Sequence, residues 1–481
     1  MVKYPGNWIS TKSLEEMANT TYDVLIIGTG HGGGTVLSRL CELWRNNGAK
    51  KIGILERGDK LFHSHSLNIP TMNINTASNQ LLEDNSTSFK ERLPEFSGAR
   101  MVYALGGRSL FWNCTVPRPI ESELRKWPIN YRELEAYYSM AEKSLNASIS
   151  YSKGSSMQNL LLRKLYSKGI LEARDLPLAF DMEASRKGQI HSNPWYSSIN
   201  KLASAQYNRD FDLGLNAYVS RVLTEDRKIS GVEVFSQNKD IYIIPAKNVV
   251  LSASTLETPR ILLNSNINVP AIGHYLTEHV SIIAVGTISR GCFSENLGNL
   301  SILKAETEEA PYQIQIIGPN QYFSYQQFEN KNLQNELTVI LTAFGRVESR
   351  PENRVYIDSS AKDEFGMPLI QVNYSLSDRD YEVVNQMSRG IVEAANAMGI
   401  ALNPATVALR PPGSSMHESC TCRIGTNPET SAANPHGQIH GIEGLFVADN
   451  SALPSLSASG PTISNIALSM RVADYIYLKE T

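Results

Sequence analysis

Residues 22–56 read YDVLIIGTGHGGGTVLSRLCELWRNNGAKKIGILE, and this stretch decides the fold of the chain. Its first six residues form a short apolar run that predicts a buried strand. A glycine-rich turn follows at 28–34, and the next apolar residues recur at helical spacing as far as Trp44. A second apolar run, 51–55, ends in Glu56. The order is therefore strand, glycine turn, helix, strand and acidic residue.

The glycines of the turn have separate tasks in binding a dinucleotide. Gly28 permits the tight turn, Gly30 lets the backbone approach a pyrophosphate, and Gly33 lets the helix pack closely on the sheet. The helix N-terminus then presents unpaired N–H groups and a positive dipole end to the phosphates. Glu56 stands where its carboxylate can accept hydrogen bonds from both hydroxyls of an adenosine ribose. A purely structural turn would leave Glu56 unexplained, so we interpret the stretch as a dinucleotide site.

The motif leaves the type of dinucleotide open. It fits FAD and NAD equally, although Glu56 would repel the additional ribose phosphate of NADP. His31 lies inside the loop, and we interpret it as a polar residue near a phosphate and not as a catalytic group. This part of the chain therefore predicts a bound dinucleotide without deciding the reaction.

The composition of the whole chain excludes several classes of protein. With 481 residues the chain is long enough for two lobes, and 42% hydrophobic and 19% charged residues are ordinary for a globular protein. The net charge of -3 gives no reason to expect nucleic acid or an anionic membrane as a partner. No apolar run approaches the ~20 residues that span a bilayer, and the polar start lacks a signal-peptide core. Five scattered cysteines are too few for a disulfide framework, which favours a cytoplasmic protein.

Beyond the nucleotide motif, the apolar pattern predicts a second lobe and a returning C-terminal segment. Four strand-like segments suit the sheet of that lobe, namely Tyr312 to Ile317, Leu337 to Phe344, Arg354 to Ile357 and Leu369 to Tyr374. An amphipathic helix is predicted from Asp378 to Met398, and a last strand and helix cover 444–449 and 461–478. The polar stretch 73–93 lacks periodicity and is predicted as a surface excursion or a cofactor lid.

Five separated segments, in order, resemble the glucose–methanol–choline (GMC) family of flavin oxidoreductases. They are Gly28 to Gly33 with Glu56, Gly106 to Ser109 with Trp112, Trp127 through Tyr138, Val249 to Arg260, and His417 to Gly425 continuing through 434–478. Together they cover nearly the whole chain. The stretch from Gly106 to Pro117 is most similar to the pyranose-oxidase branch, which oxidises sugar hydroxyls.

The resemblance implies an α/β fold in which a Rossmann-like FAD-binding lobe is interleaved with an α+β substrate lobe built on an antiparallel sheet. We expect a discontinuous FAD-binding domain at 20–125, 205–285 and 415–481. The substrate-binding domain is expected at 126–204 and 286–414.

The resemblance also implies which residues approach the flavin. Gly106, Gly107 and Ser109 belong to this group, and at Gly107 a side chain would clash with the cofactor. Members of the branch with covalent flavin have a histidine where this chain has Phe111. The FAD is therefore expected to be noncovalent, with Asn113 as a further cofactor-binding residue.

Further cofactor contacts are implied for three later segments. Val219 and Val222 fall in the segment that lines the adenine pocket, and Asp449 is placed to accept from ribityl hydroxyls. Pro461 and Thr462 open the last helix, with Pro461 suited to its first position. The N-terminus of that helix would face the flavin pyrimidine ring and stabilise negative charge there.

Removing a hydride from an alcohol carbon requires a base for the hydroxyl proton and an electron sink for the hydride. Histidine, with an ordinary pKa of ~6.5, suits the base, and flavin N5 suits the sink. His417 opens the sequence HESCTCRIG, similar to the family's catalytic HxxGTCRMG except that Cys420 replaces the first glycine. The alternative is a histidine satisfied in the core or at the surface. Cys420 and Cys422 have no second ligand pair at metal spacing, so no metal is expected.

The family's second active-site residue, usually histidine or asparagine, aligns with Gly460. Glycine has no side chain with which to orient a hydroxyl. Ser459, Asn450, Asn113, a water or the substrate itself must then do so.

These residues predict FAD-dependent oxidation of an alcohol group on a sugar-like substrate, with aminosugars and aminoglycoside intermediates as a specific possibility. Hydride passes to flavin N5 with His417 as base, and oxygen or another carrier takes the electrons. A lyase of the same fold without net redox turnover is the alternative, and Gly460 is the residue that favours it. A nicotinamide dehydrogenase would leave the C-terminal motifs unexplained, and a noncatalytic binding protein would leave His417 idle.

Overall fold

The computed structural model describes residues 8–69, 71–72, 74–180, 194–293, 298–319 and 335–480. The α-helices of these residues are α1 Leu14–Ala18, α2 His31–Leu43, α3 Ile74–Asn79, α4 Glu121–Leu124, α5 Tyr131–Ser144, α6 Ser156–Ser167, α7 Ser198–Asn208, α8 Glu257–Asn264, α9 Asp378–Met398 and α10 Thr462–Glu480. The strands are β1 Val24–Ile27, β2 Ile52–Leu55, β3 Thr87–Ser88, β4 Arg100–Met101, β5 Ala147–Ser148, β6 Ala173–Asp175, β7 Leu178–Ala179, β8 Asp212–Gly214, β9 Tyr218–Glu225, β10 Lys228–Phe235, β11 Ile241–Pro245, β12 Val249–Leu251, β13 Val280–Ser289, β14 Leu300–Lys304, β15 Tyr312–Gly318, β16 Glu336–Gly345, β17 Arg354–Lys362, β18 Pro368–Asn373, β19 Ala401–Leu402, β20 Ala408–Leu409 and β21 Leu445–Val447. None of these helices is long and apolar enough to cross a bilayer.

A five-stranded parallel sheet forms the nucleotide-binding half, with strand order β21-β12-β1-β2-β8. Every residue of β1 and β2 is buried, as expected for a parallel sheet covered on both faces. β1 and β2 pair from Val24↔Ile52 to Ile27↔Leu55, so the glycine turn leaves the centre of the sheet. Helix α2 packs against α7 and α10. This arrangement places the C-terminal helix beside the nucleotide loop and confirms the predicted Rossmann-like lobe.

The second large sheet is antiparallel, with order β19-β13-β16-β15-β14-β6 and β20 also paired to β13. Ile283 lies opposite Thr342, and Thr342 lies opposite Gln315, so these three residues stand in one row across the sheet. Their neighbours Ile282 and Leu341 belong to a hydrophobic core that also contains residues of α9. Because side chains alternate between faces, the row of Ile283, Thr342 and Gln315 lies on the face away from α9.

The predicted segments of the second half are confirmed as elements, with one change of sheet. β15, β16 and α9 match the predicted ranges within one residue at each end. β17 and β18 also form, but they make a separate two-stranded sheet and are not part of the large antiparallel sheet. Alternating apolar residues specify a strand, whereas its partner strand is chosen by packing.

Two of the predicted domain boundaries fall inside single elements. The boundary at 285 lies within β13, and the boundary at 204 lies within α7. β13 belongs to the antiparallel sheet, and α7 packs on α2 of the nucleotide half. Since an element packs as a unit, both boundaries move to the ends of these elements. The division of the remaining ranges into two domains stays a prediction.

Candidate active site

A cavity of about 450 Å³ lies between the carboxyl ends of the parallel strands and one face of the antiparallel sheet. Its floor contains residues of two glycine turns, at 28–34 and 106–109. Its roof contains Ile283, Gln315, Thr342 and Phe344. Ligands of open α/β sheets bind at this edge. Ser78, Leu81 and Leu82 of the predicted excursion also line the cavity, although Asn73 itself lies outside the described residues.

The first glycine turn is packed so tightly that three of its glycines, Gly28, Gly32 and Gly33, have no room for a side chain. Gly28 has a left-handed backbone (φ +100°), and a Cβ there would lie 2.3 Å from the Ser252 carbonyl oxygen. A Cβ on Gly33 would lie 1.9 Å from the carbonyl oxygen of Gly28. Gly30 differs, because no atom of the described residues lies within 4 Å of its Cβ position and the residue lines the cavity. Gly28 and Gly33 hold the turn, and Gly30 leaves an open place beside it.

Glu56 lines the cavity at the end of β2, and its carboxylate also holds the turn. It accepts hydrogen bonds from the Thr29 N–H at 3.1 Å, the Thr29 hydroxyl at 2.5 Å and the Gly58 N–H at 3.0 Å. Burial raises the pKa of Glu56, and these donors oppose the shift. A carboxylate has about four acceptor sites. Glu56 therefore keeps acceptor capacity for a ligand in the cavity.

The second glycine turn, residues 106–109, is tied to the first. Gly106 donates its N–H to Thr29 Oγ1 at 2.8 Å and, contrary to expectation, does not line the cavity. Ser109 lines it, but its hydroxyl donates to the Gly106 carbonyl at 2.6 Å and accepts from the Ser198 N–H at 2.9 Å. Gly107 (φ +55°) has no atom of the described residues within 3.8 Å of its Cβ position. Of the three expected flavin neighbours, Gly107 is the one that presents an open surface.

The wall predicted for the adenine end differs from the structure by one residue. Val219 lines the cavity together with Ala217 and Tyr218, whereas Val222 does not. Val222 lies three residues further along β9, about 10 Å away, and is buried in the main hydrophobic core. The structure therefore replaces Val222 by Ala217 and Tyr218 in this wall.

Asp449 lines the cavity after β21, but most of its acceptor capacity is used inside the protein. Its carboxylate accepts from the Ser254 N–H at 2.9 Å, the Thr258 hydroxyl at 2.6 Å and the Ser451 N–H at 2.8 Å. Three of about four acceptor sites are thus occupied. Asp449 joins β21 to the segment after β12 and, like Glu56, keeps about one acceptor site, so the predicted ribityl contact stays a prediction.

His417 lies on the cavity wall beside a second histidine that the sequence motif does not reveal. The His279 Nδ1 and His417 Nδ1 atoms are 2.9 Å apart, and His279 Nε2 is hydrogen-bonded to the Ser457 carbonyl oxygen. Burial lowers the pKa of His279 to about 4, so near neutral pH its ring carries a single N–H.

The Ser457 carbonyl fixes the positions of the ring protons, because a carbonyl oxygen can only accept a hydrogen bond. The single N–H of His279 must therefore be at Nε2, and its Nδ1 accepts the N–H of His417 Nδ1. His417 Nε2 is then left with an unprotonated lone pair. This nitrogen is also the His417 atom nearest to Gly460, at 3.6 Å from that residue's Cβ position.

Two buried carboxylates lie behind His417. Glu278 Oε1 accepts from the His417 N–H at 3.3 Å and from the Ser415 hydroxyl, and Glu418 accepts from Arg108 Nη1 at 2.6 Å. Burial and the neighbouring Glu418 raise the pKa of Glu278. Sequence reasoning missed Glu278 and His279. The available signal was a pair of adjacent titratable residues directly before the apolar strand β13.

Comparisons with known proteins agree with this geometry. Residues 22–281 match the N-terminal part, and residues 349–469 the C-terminal part, of the family described as GMC oxidoreductase. The chain belongs to the GMC oxidoreductase family.

Relatives of this GMC oxidoreductase include sugar oxidases. A C-glycoside 3-oxidase of Arthrobacter globiformis is 28% identical over 394 residues, which are 78% of this chain and 74% of the relative. A pyranose 2-oxidase of Tricholoma matsutake is 21% identical over 427 residues, or 79% and 73% of the two chains. The Aspergillus oryzae RIB40 formate oxidase has a similar fold, with a TM-score of 0.72 and 14% identity over 98% of this chain and 99% of that one. The predicted family and its similarity to pyranose oxidases are thereby confirmed.

The cofactor of this GMC oxidoreductase is FAD, and the described residues fit that group. The open places at Gly30 and Gly107 would otherwise be unfilled gaps in a packed floor. His31, in the first turn of α2, lines the cavity, and both of its buried ring nitrogens lack a hydrogen-bond partner among the described residues. Its ring contacts Trp112 edge-on at 4.5 Å. Gly30, His31 and the α2 N-terminus would hold the pyrophosphate, and Glu56 would hold the ribose.

Phe111 lines the same cavity with a hydrocarbon ring that cannot form a covalent flavin link.

Gly460 and Thr462 line the cavity, whereas Pro461 does not. Helix α10 begins at Thr462, one residue later than predicted, and the Pro461 carbonyl accepts the Asn465 N–H at 2.9 Å. Among the described residues, only His417 has atoms within 4 Å of the Gly460 Cβ position, its Nε2 and Cε1.

Three residues were candidates to replace the missing side chain at Gly460. The Ser459 hydroxyl donates to the Arg118 carbonyl and does not line the cavity. Asn450 lines it, but its side-chain oxygen accepts from Asn465. Asn113 lines the cavity, is exposed to it, and has no side-chain hydrogen bond to any described residue. Among the three, Asn113 is therefore the group still available to a substrate hydroxyl.

The proton arrangement of the two histidines predicts the effect of replacing His279. In His279→Leu, no acceptor remains for the His417 Nδ1 proton, so both tautomers of His417 become populated. We expect kcat/KM for the alcohol to fall about tenfold or more. His279→Asn keeps an acceptor oxygen near the Nδ1 position and should retain most of the activity. Equal losses in the two variants would contradict this arrangement, and pH profiles of kcat/KM would show whether the base itself has changed.

Proposed function

We propose that this GMC oxidoreductase oxidises a hydroxyl group of a sugar or similar polyol, with His417 as the base. The observation that carries the proposal is the position of His417 on the wall of a cavity that also contains the dinucleotide turn, with ring contacts from which an unprotonated Nε2 follows. A base on this wall can reach a substrate held between the floor and the roof.

In this reaction His417 Nε2 removes the hydroxyl proton of the substrate while the C–O bond becomes a carbonyl. The chemistry that bound FAD supplies is acceptance of the hydride from the same carbon. The proton stays on His417, whose Nδ1–H remains hydrogen-bonded to His279 Nδ1 at 2.9 Å. His279 is therefore a positioning residue, since it keeps the imidazole in one orientation before and after proton transfer.

The neutral polar groups of the cavity support a polyol substrate. Gln315 and Thr342 stand in the roof, and Asn113 and Thr115 stand below them. The Gln315 amide donates to Thr115 Oγ1 at 3.4 Å, a long contact that a substrate hydroxyl could replace. The names of the C-glycoside 3-oxidase and the pyranose 2-oxidase agree with a sugar substrate.

Anaerobic addition of sugars to the purified holoenzyme tests this function. Loss of the oxidised flavin absorption with one compound supports alcohol oxidation, and its recovery in air would identify oxygen as an acceptor. A flavin that no alcohol reduces, together with a substrate that is nevertheless cleaved, would favour the lyase alternative.

The environment of His417 predicts the pH dependence of the reaction. Burial, and then the nearby His279, Arg108 and Arg410, hold the pKa of His417 well below 6.5. A base with a lowered pKa stays unprotonated as pH falls through the neutral range, and activity is lost only when the pH approaches that low pKa. We expect kcat/KM to be flat through neutral pH and to decline only in acid. A half-maximal rate near pH 6.5 in a pH–rate profile would contradict this environment.

A further inference from the structure

Among the described residues of the cavity roof, one side chain is charged, that of Arg410. Strand β20 pairs with β13 so that Leu409 lies opposite Ile282, and the Arg410 N–H donates to the Ser281 carbonyl at 2.9 Å. This bond places Arg410 at the edge of the sheet, next to Ser281. Because Ser281 alternates with the core residue Ile282, it shares the cavity face with Ile283. The Arg410 side chain accordingly lines the cavity.

Arg410 differs from the other arginines in the cavity wall. Arg57 donates to Glu257 at 3.0 Å, and Arg108 donates to Glu418 at 2.6 Å. Arg410 forms no side-chain hydrogen bond or ion pair with any residue that the structure describes. Burial lowers its pKa and Glu278 acts in the opposite direction, but a guanidinium stays charged in proteins. Among the described residues, Arg410 therefore has no hydrogen-bonded or ion-paired partner in the cavity, and Glu278 acts on it only through its charge.

Among the described residues, no carboxylate of the cavity wall is paired with Arg410. The described lining residues with carboxylates are Glu56, Glu257 and Asp449, all on the side of the parallel sheet. Glu257 is paired with Arg57 and Arg260, and the other two accept the N–H and hydroxyl groups described above. A half-buried cation without an anion costs free energy that a ligand anion would restore.

We propose that Arg410 is the subsite for an anionic substituent, a carboxylate or a phosphate, on the sugar-like alcohol that His417 deprotonates. This inference rests on the proposed function and narrows its substrate class. The planar guanidinium can bind either anion through two parallel hydrogen bonds.

The same charge links substrate recognition to the base. Arg410 is one of the groups that hold the pKa of His417 down, so it disfavours the imidazolium formed when the base takes the proton. The groups that act on this imidazole also include His279 and Arg108, while the buried Glu278 accepts the backbone N–H of His417. An anion bound to Arg410 cancels part of the positive field. A charged substrate would therefore be bound and would also make His417 a stronger base.

The test compares substrates of one shape and different charge on the FAD-loaded enzyme. Methyl β-D-glucuronide, its uncharged amide, methyl β-D-glucoside 6-phosphate and methyl β-D-glucosaminide are added under nitrogen, and the rate of flavin reduction gives kcat/KM. We expect the acid or the phosphate to exceed the amide by about tenfold or more, because charge-assisted hydrogen bonds are about twice as strong as neutral ones. The better of these two probes identifies the anion.

Arg410→Gln should abolish the preference for the anionic probe, so that the ratio of kcat/KM for the anionic probe to that for the amide falls to about one. Arg410→Lys keeps the charge without the two-pronged geometry and should be intermediate. Arg379→Gln is the matched control, because Arg379 is an exposed arginine of the same lobe paired only with Glu348, and it should change nothing. Flavin content and thermal unfolding confirm that each variant is folded.

Three outcomes would overturn the proposal. They are an amide oxidised as fast as the acid and the phosphate, a glucosaminide preferred to both, or an Arg410→Gln variant that slows charged and neutral probes equally. If no probe reduces the flavin, the proposed function fails for these sugars. The anionic subsite is then tested by titrating the enzyme with each probe and following the shift of the flavin absorption spectrum, which measures binding. Tighter binding of an anionic probe to wild type than to Arg410→Gln would then support the subsite, and no saturable shift would reject it.

Discussion

His417→Ala is expected to lower kcat for alcohol oxidation by about 10²- to 10⁴-fold, the usual contribution of a positioned general base. The reason is that the lone pair of His417 Nε2 is placed at the cavity wall by a fixed chain of hydrogen bonds to His279 and the Ser457 carbonyl. Bound FAD should be retained, since the hydrogen bonds of His417 go to His279, Glu278 and Ser419 and not to the residues that fit the dinucleotide. Single-turnover flavin reduction under nitrogen measures the loss without interference from reoxidation.

The matched control for this variant is His63→Ala. His63 is exposed and lies outside the cavity wall, so its removal should leave the rate of flavin reduction unchanged. A His417→Ala variant that reduces FAD at the wild-type rate would show that another group, or a water, takes the proton. Loss of flavin from the same variant would instead indicate a structural task for His417.

Alanine at Gly30 and alanine at Gly33 should fail in different ways. At Gly33 the new methyl group would lie 1.9 Å from the Gly28 carbonyl oxygen, so the helix must move away from the turn. Such overpacking costs about 1–3 kcal/mol of unfolding free energy or more. At Gly30 no atom of the described residues lies within 4 Å, and the backbone is extended (φ −63°, ψ −169°) as alanine permits. Gly30→Ala should therefore fold but bind FAD poorly, because the methyl group enters the cofactor's place.

The two variants are compared by the ratio of FAD to protein and by thermal unfolding of the apoprotein. Gly48→Ala serves as control, because Gly48 is exposed and no atom of the described residues is within 4 Å of its Cβ position. A Gly30→Ala protein with full FAD content would place the pyrophosphate elsewhere. Normal stability of Gly33→Ala apoprotein would show that the contact of α2 with the turn is less tight than the distances indicate.

Much of the nucleotide-binding half could be predicted because its signals are local. The spacing of Gly28, Gly30 and Gly33 follows from what a tight turn, a phosphate and a packed helix each require. The burial of β1 and β2 likewise follows from their uninterrupted apolar residues. His417 was found by its similarity to a family motif, and its use as the base remains to be measured.

Other features of the site were decided by tertiary packing. Two examples are the hydrogen bond from the Gly106 N–H to Thr29 Oγ1 and the position of Val222 outside the cavity wall. Both depend on how the turns and sheets pack against one another. His279 lies 138 residues before His417, and nothing in the spacing of either segment indicates that their rings touch.

The sequence by itself determined the periodic elements, the dinucleotide turn and the family of this protein. Tertiary structure alone decided the proton arrangement around His417 and the unpaired charge of Arg410. The physical reason is that backbone geometry sets the spacing of apolar residues in helices and strands and the residue types required in turns. Both can be recognised within a few consecutive residues of sequence. Contacts between the two sheets arise instead from the burial of whole faces, and no local pattern records which side chains then meet.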